Sequence, residues 1–130
     1  MTIEELRNYR KIVAVIAFWR RELRDQEKRS FVTSPQGGTG GGGGISDPTS
    51  VRAVHEADLY LRIKALEEQR EAEAERIVAW IEEIQDPLIQ AIMYARYIKG
   101  LTWERVAATI GGSTTPGALR LLHYRFMGSQ

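Results

Sequence analysis

Residues 86–126 read DPLIQAIMYARYIKGLTWERVAATIGGSTTPGALRLLHYRF, and helix signals punctuate the stretch at short intervals. Asp86 before Pro87 is a helix start. The carboxylate accepts backbone N–H groups that have no partner in the first turn, and proline at the first helical position forfeits nothing. Ile89, Ile92, Met93 and Tyr97 then recur at helical spacing, and Gly100 ends the segment in the left-handed conformation. Thr102 caps a short helix, Trp103 to Ile110, with Val106, Ala107 and Ile110 on its inner side. Gly111-Gly112-Ser113 is a turn. Thr115 and Pro116 open a last helix with Leu119, Leu122 and Phe126 at core spacing. Two short helices around a glycine turn describe a helix-turn-helix, whose second helix enters the DNA major groove. Seven residues separate Gly111 from Leu119, which lengthens the turn by about two residues relative to the usual motif.

Upstream, Leu6, Tyr9, Ile12, Val13, Ile16, Trp19 and Leu23 recur at three- and four-residue steps, with Arg10, Lys11, Arg20, Arg21 and Arg24 on the polar face, which predicts a helix over 3–29. Seven of the twelve glycines lie between Gly37 and Gly44. Such a run buries almost nothing to offset its ordering entropy, so about residues 31–46 read as a loop. It is not a phosphate loop, because no lysine stands between Phe31 and Ile63. Asp47-Pro48 then starts a second helix running to Gln85. Its seam of Leu59, Ile63, Leu66, Ile77, Trp80 and Ile84 is coiled-coil-like, although Arg70 and Glu73 fall on it. The expected architecture is all-α: a long N-terminal helical hairpin over 1–85, for assembly or partner contact, followed by a helix-turn-helix domain over 86–130. A homodimer through the hairpin is one way to bury its remaining apolar face.

Composition removes several function classes. There is no cysteine and there are two histidines, His55 and His123, so a thiolate metal site, a cysteine nucleophile or a histidine-based catalytic centre lacks parts. No metal, cofactor or catalysis is expected. The longest apolar run, Ile12 to Trp19, has eight residues, against the roughly 20 that a membrane helix needs. A soluble, cytoplasmic protein is expected. The net charge is +1, but it is unevenly spread: +3 over residues 1–34, −5 over 35–85 and +3 over 86–130. Any phosphate-binding surface therefore belongs near the C-terminal end, away from Glu67, Glu68, Glu71, Glu73 and Glu75.

The run from Ile84 to Leu88, the stretch Arg96-Tyr97-Ile98-Lys99-Gly100-Leu101-Thr102-Trp103-Glu104-Arg105-Val106-Ala107, the turn Gly111-Gly112-Ser113, and Leu119-Arg120 with His123 to Phe126 together resemble region 4 of sigma-70-type factors. The chain is more closely similar to small phage and prophage proteins of Gram-positive bacteria with a sigma-like C-terminus, related to the ArpU and RinA late-transcription regulators. Those proteins also carry an N-terminal helix, a glycine-containing loop ending near Asp-Pro and a long second helix. The resemblance implies a transcription regulator that binds double-stranded DNA. Residues 115–127 would be the reading helix and 102–110 its support, and RNA polymerase would be a second contact.

The residue types fit those roles. Thr114 and Thr115 stand at a helix N-terminus where phosphate binds, Arg120 has the reach for a base edge, and Tyr124 and Arg125 suit backbone contacts. Thr102 and Arg105 on the supporting helix complete the candidate set. Trp103 reads as a core anchor and His123 as a surface or partly packed residue. Arg96 and Arg125 are divided between an internal ion pair, with Glu104 or Asp86, and a phosphate contact. Two alternatives stand beside transcription regulation: a small terminase subunit for DNA packaging, which would assemble as a many-membered ring, and a module that binds protein rather than DNA.

Overall fold

The computed structural model describes residues 1–32 and 48–129, with side chains described for 1–29 and 51–129. Among these residues the chain is helical, with no strand: α1 (Ile3–Val32), α2 (Pro48–Glu82), α3 (Pro87–Met93), a π-helical turn (Tyr94–Ile98), α4 (Trp103–Ile110) and α5 (Pro116–Gly128). Helix α1 runs three residues past the expected end at 29, and α2 stops three residues before Gln85. The rest of the glycine-rich stretch, and the cap expected from Asp47, lie outside the described residues. No helix among the described residues is long and apolar enough to cross a membrane.

Contacts divide the chain into two compact units, Met1–Val13 with Gln69–Gln130, and Ala14–Glu68. This division differs from the one drawn at residue 85 from sequence, because it falls within the two long helices, where no turn signal marks it. In the unit formed by Ala14–Glu68, Leu23, Leu59 and Ile63 form a small buried cluster with Trp19 against it. The Arg62 guanidinium lies 4.6 Å from the Trp19 ring centroid. Arg20 pairs with Glu67, and the Tyr60 hydroxyl donates to Glu27 at 2.7 Å. From Arg20–Glu67 to Glu27–Tyr60 the partner on α2 steps back as α1 advances.

The other unit holds the larger core. Leu6 and Tyr9 of α1, Ile77 and Ile81 of α2, Ile89, Ile92 and Met93 of α3, Ala95 and Tyr97 of the π turn, Val106 and Ala107 of α4, and Leu119 and Met127 of α5 are buried together. Each large side chain removed from water contributes roughly 1.5 to 3 kcal/mol. On α2 it is Ile81, rather than the expected Trp80, that is buried, while Trp80 packs half-exposed beside Phe126 at 6.0 Å between ring centroids.

Local chemistry places the helix ends. Thr2 and Glu5 form a reciprocal capping box at the start of α1, with Thr2 N–H donating to Glu5 at 2.9 Å and Glu5 N–H donating to Thr2 Oγ1 at 3.2 Å. The Thr2 N–H also holds the Glu5 carboxyl below the usual carboxylate range. Asp86 Oδ1 accepts from the Leu88 and Ile89 N–H groups at 2.8 and 3.3 Å. Thr102 caps α4 by accepting from Arg105 N–H at 3.3 Å, and Thr115 caps α5 by accepting from Ala118 N–H at 3.2 Å. Thr115→Ala should lower the unfolding free energy by about 1 kcal/mol, while Thr115→Asp keeps most of it, as read from denaturant melts. An unchanged melt for the alanine variant would mean that the cap contributes nothing to α5.

One feature departs from the single helix expected between Asp86-Pro87 and Gly100. The helix changes pitch at Tyr94: Lys99 N–H donates to the Tyr94 carbonyl five residues back at 3.1 Å, and Leu101 N–H to the Ala95 carbonyl at 3.1 Å. A π turn of this kind holds one more residue per hydrogen-bonded ring than an α turn. It buries Ala95 and Tyr97 while leaving Tyr94 exposed. Beyond α4, Gly111 and Gly112 have φ of 77° and 70°, two consecutive left-handed residues that any side chain would strain.

Candidate nucleic-acid interface

Helix α5 has two unlike faces. One carries Leu119 and His123, each 1% exposed, and Met127, with Leu122 and Phe126 packed at its margin. The other presents Gly117, Ala118, Arg120, Leu121, Tyr124 and Arg125 to solvent. Helices α4 and α5 pack through Val106, Ala107 and Leu119 in the shared core, and the Gly111–Thr115 segment joins them.

The structure brings Arg120 and Tyr124 together, with the guanidinium 5.7 Å from the ring centroid. Thr115 is the α5 cap. Thr114 is half-buried and donates its hydroxyl to the Gly111 carbonyl at 2.8 Å, so it closes the turn from within. Thr102 and Arg105 lie in the first turn of α4, exposed, and no hydrogen bond or ion pair among the described residues ties them to the α5 set. Arg125 is exposed and has no ion pair among the described residues.

His123 corrects the sequence reading: it is not a surface residue. Its Nε2 and the Tyr97 hydroxyl share a hydrogen bond of 2.6 Å, while Nδ1 is buried without a partner. Its ring stands edge-on to Trp103 at 5.1 Å and to Tyr124 at 4.8 Å. The expectation failed because the stripe of Leu119, His123 and Met127, at four-residue steps, carries an imidazole where an apolar residue is the norm. Arg96 also departs from the expected ion pairs. It donates to the Leu101 carbonyl at 2.9 Å and lies 4.6 Å from the Trp103 ring centroid, so its donors and its face are engaged without Glu104 or Asp86.

These environments shift the titrating groups. Burial, reinforced by the positive Arg96 and Arg7, lowers His123 from its ordinary 6.5 to about 4. Burial raises the Tyr97 phenol and, with repulsion from Arg10, lowers Arg96. The Tyr124 phenol goes the other way: hydrogen bonding from Arg7 leads, with Arg120 adding to it, and holds it below its usual value. A neutral imidazole under a positive rim carries no charge of its own to repel a cation or attract an anion; the rim alone sets the local potential.

Three residues of this surface escape the sequence reading. Leu121, 51% exposed, is a large apolar side chain on the outer face of α5, and its position three residues before Tyr124 was the available signal. Arg7 and Arg10 come from α1, more than a hundred positions away along the chain, and no local pattern announces them. No group of three or more His, Cys, Asp or Glu side chains able to hold a metal ion occurs among the described residues. In comparisons with known proteins, no family model, no curated protein and no solved structure matches the chain.

Proposed function

We propose that the chain is a DNA-binding transcription regulator of the phage and prophage type, in which α4, the glycine turn and α5 form a sigma region 4-like helix-turn-helix. The observation that carries this reading is the division of α5: a buried stripe fixes the helix on α4 and α3, and the opposite stripe offers Arg120, Leu121, Tyr124 and Arg125 outward. A reading helix needs that combination of a rigid back and a front of hydrogen-bonding and apolar groups. Arg120 is the base-reading candidate, Leu121 suits a thymine methyl, and Arg125 suits a backbone phosphate. Thr115 caps the first turn of α5, whose positive helix end favours an anion. The antiparallel run of contacts between α1 and α2 within Ala14–Glu68 supports the helical hairpin as the element for assembly, with a second copy or with RNA polymerase.

The test is fluorescence anisotropy with a duplex taken from beside the protein's own gene, at two salt concentrations, with light scattering for the mass. Binding that weakens as salt rises, by a monomer or dimer, is the expected result. Arg120→Ala should cost about 1 to 3 kcal/mol if it reads a guanine, and unchanged binding would remove Arg120 from the site. The exposed Leu121 beside Tyr124 also favours a second reading, a surface for protein. Duplex binding that is absent at both salts would select that reading, and a large ring would select the packaging subunit.

A further inference from the structure

Four arginines from three parts of the chain bear on one aromatic group, Arg96 and Arg120 by lying against its rings and Arg7 and Arg10 through their charge. Arg96, on the π turn, lies against Trp103. Trp103 meets His123, and His123 meets Tyr124. Tyr124 lies under Arg120, and the positive Arg7 acts on its phenol. Arg10 stands one helical turn beyond Arg7 on α1, and its charge bears on Arg96 and Tyr97. The flanking residues Leu6 and Tyr9 are buried in the same core as Leu119 and Met127, which anchors this part of α1 beside α5.

The charges in this cluster are not balanced from within. Arg10, Arg96 and Arg120 have no ion pair among the described residues, and Arg7 has only an exposed one, 3.6 Å from Glu4. An exposed pair at that spacing contributes little and is readily exchanged for another anion. Four like charges held together oppose folding, and an arrangement of this kind is relieved by a polyanion with regularly spaced charges.

We infer that Arg7 and Arg10 of the N-terminal helix are backbone-phosphate contacts for the duplex that α5 reads, so that the DNA surface extends from the C-terminal helices onto α1. The inference rests on the reading of α5 given above. Phosphate contacts position the protein and carry no sequence information, whereas Arg120 on the groove-facing stripe discriminates.

The experiment is a salt titration of duplex binding for the wild type, Arg7→Ala/Arg10→Ala, and Arg7→Lys/Arg10→Lys, on a cognate and a scrambled duplex, with thermal melts to show that each variant is folded. Each lost phosphate contact reduces the slope of log affinity against log salt by about 0.9. The double alanine variant should therefore lose about 2 units of slope and weaken on both duplexes alike. Over a fourfold rise in salt the wild type should lose about tenfold more affinity than that variant. The lysine variant should keep the slope, because it keeps the charge. A folded alanine variant with the wild-type slope overturns the inference and leaves the reading of α5 standing. A lysine variant that loses the slope as the alanine variant does overturns it as well, since packing and not charge would then be at work. A wild type that binds neither duplex overturns both.

Discussion

Between pH 7 and pH 4 the unit built from the two chain ends is expected to lose about 3 kcal/mol of unfolding free energy through His123 alone. In the unfolded chain the imidazole takes a proton near 6.5, whereas the folded structure resists it until about 4. The unfolded state therefore binds more protons throughout this window, and stability falls as pH falls. Above 6.5 the contribution is complete, and below about 4 nothing further is lost from this group. The physical cost is specific. An imidazolium would carry two N–H donors, yet Nε2 has only the Tyr97 hydroxyl and Nδ1 has no partner. Arg96 and Arg7 add like charge on the same side. Denaturant melts at half-unit pH steps, for the wild type and for His123→Gln, measure the effect as the difference between two profiles. A glutamine variant with the wild-type slope over this window would assign the acid sensitivity to the carboxylates instead.

Leu119→Ala is expected to cost about 3 kcal/mol. Leu119 is 1% exposed and joins α5 to the side chains of α3 and α4 in the common core. Truncation removes the transfer free energy of the lost carbons and leaves a cavity that rigid short helices fill only in part. Leu119→Met, which conserves volume, should cost less than about 1.5 kcal/mol. Both are read from urea or thermal melts. A loss under about 1 kcal/mol for the alanine variant would mean that α5 is not held by this stripe. On the proposed DNA-binding function the pair of variants also separates two routes to its loss: Leu119→Ala should weaken binding through disorder of α5, while Arg120→Ala should do so with an unchanged melt.

Much of this is legible in the sequence where the physics is local. Asp86, Thr102 and Thr115 act on N–H groups two or three residues away, and all three form the caps that their positions predict. Gly100 takes the expected left-handed conformation for the same reason, and the expected turn at Gly111 and Gly112 has positive φ at both. The buried face of α1 follows its period, since Leu6, Tyr9, Ile16 and Leu23 are all inside. What the sequence hides depends on residues brought together from afar. His123 sits at the right step for the core, but an imidazole is read as exposed until Tyr97, Trp103 and Tyr124 are known to surround it. Arg7 and Arg10 look like part of an ordinary solvated stripe until α1 is seen to share a core with α5. The π turn is hidden for a different reason: a single residue accommodated inside a helix changes no composition and breaks no period long enough to notice.

That turn makes the protein sensitive to chain length at one place. Successive residues of an α-helix are rotated by about 100°, so removing any one residue from Tyr94–Ile98 lets the segment close as regular α-helix and turns α3 by that angle against α4 and α5. Arg96 would leave Trp103, Tyr97 would leave His123, and the four positive charges would lose their common focus, although no side chain in α4 or α5 had been changed. These five residues behind α5 thus act as a spacer that sets which way it faces.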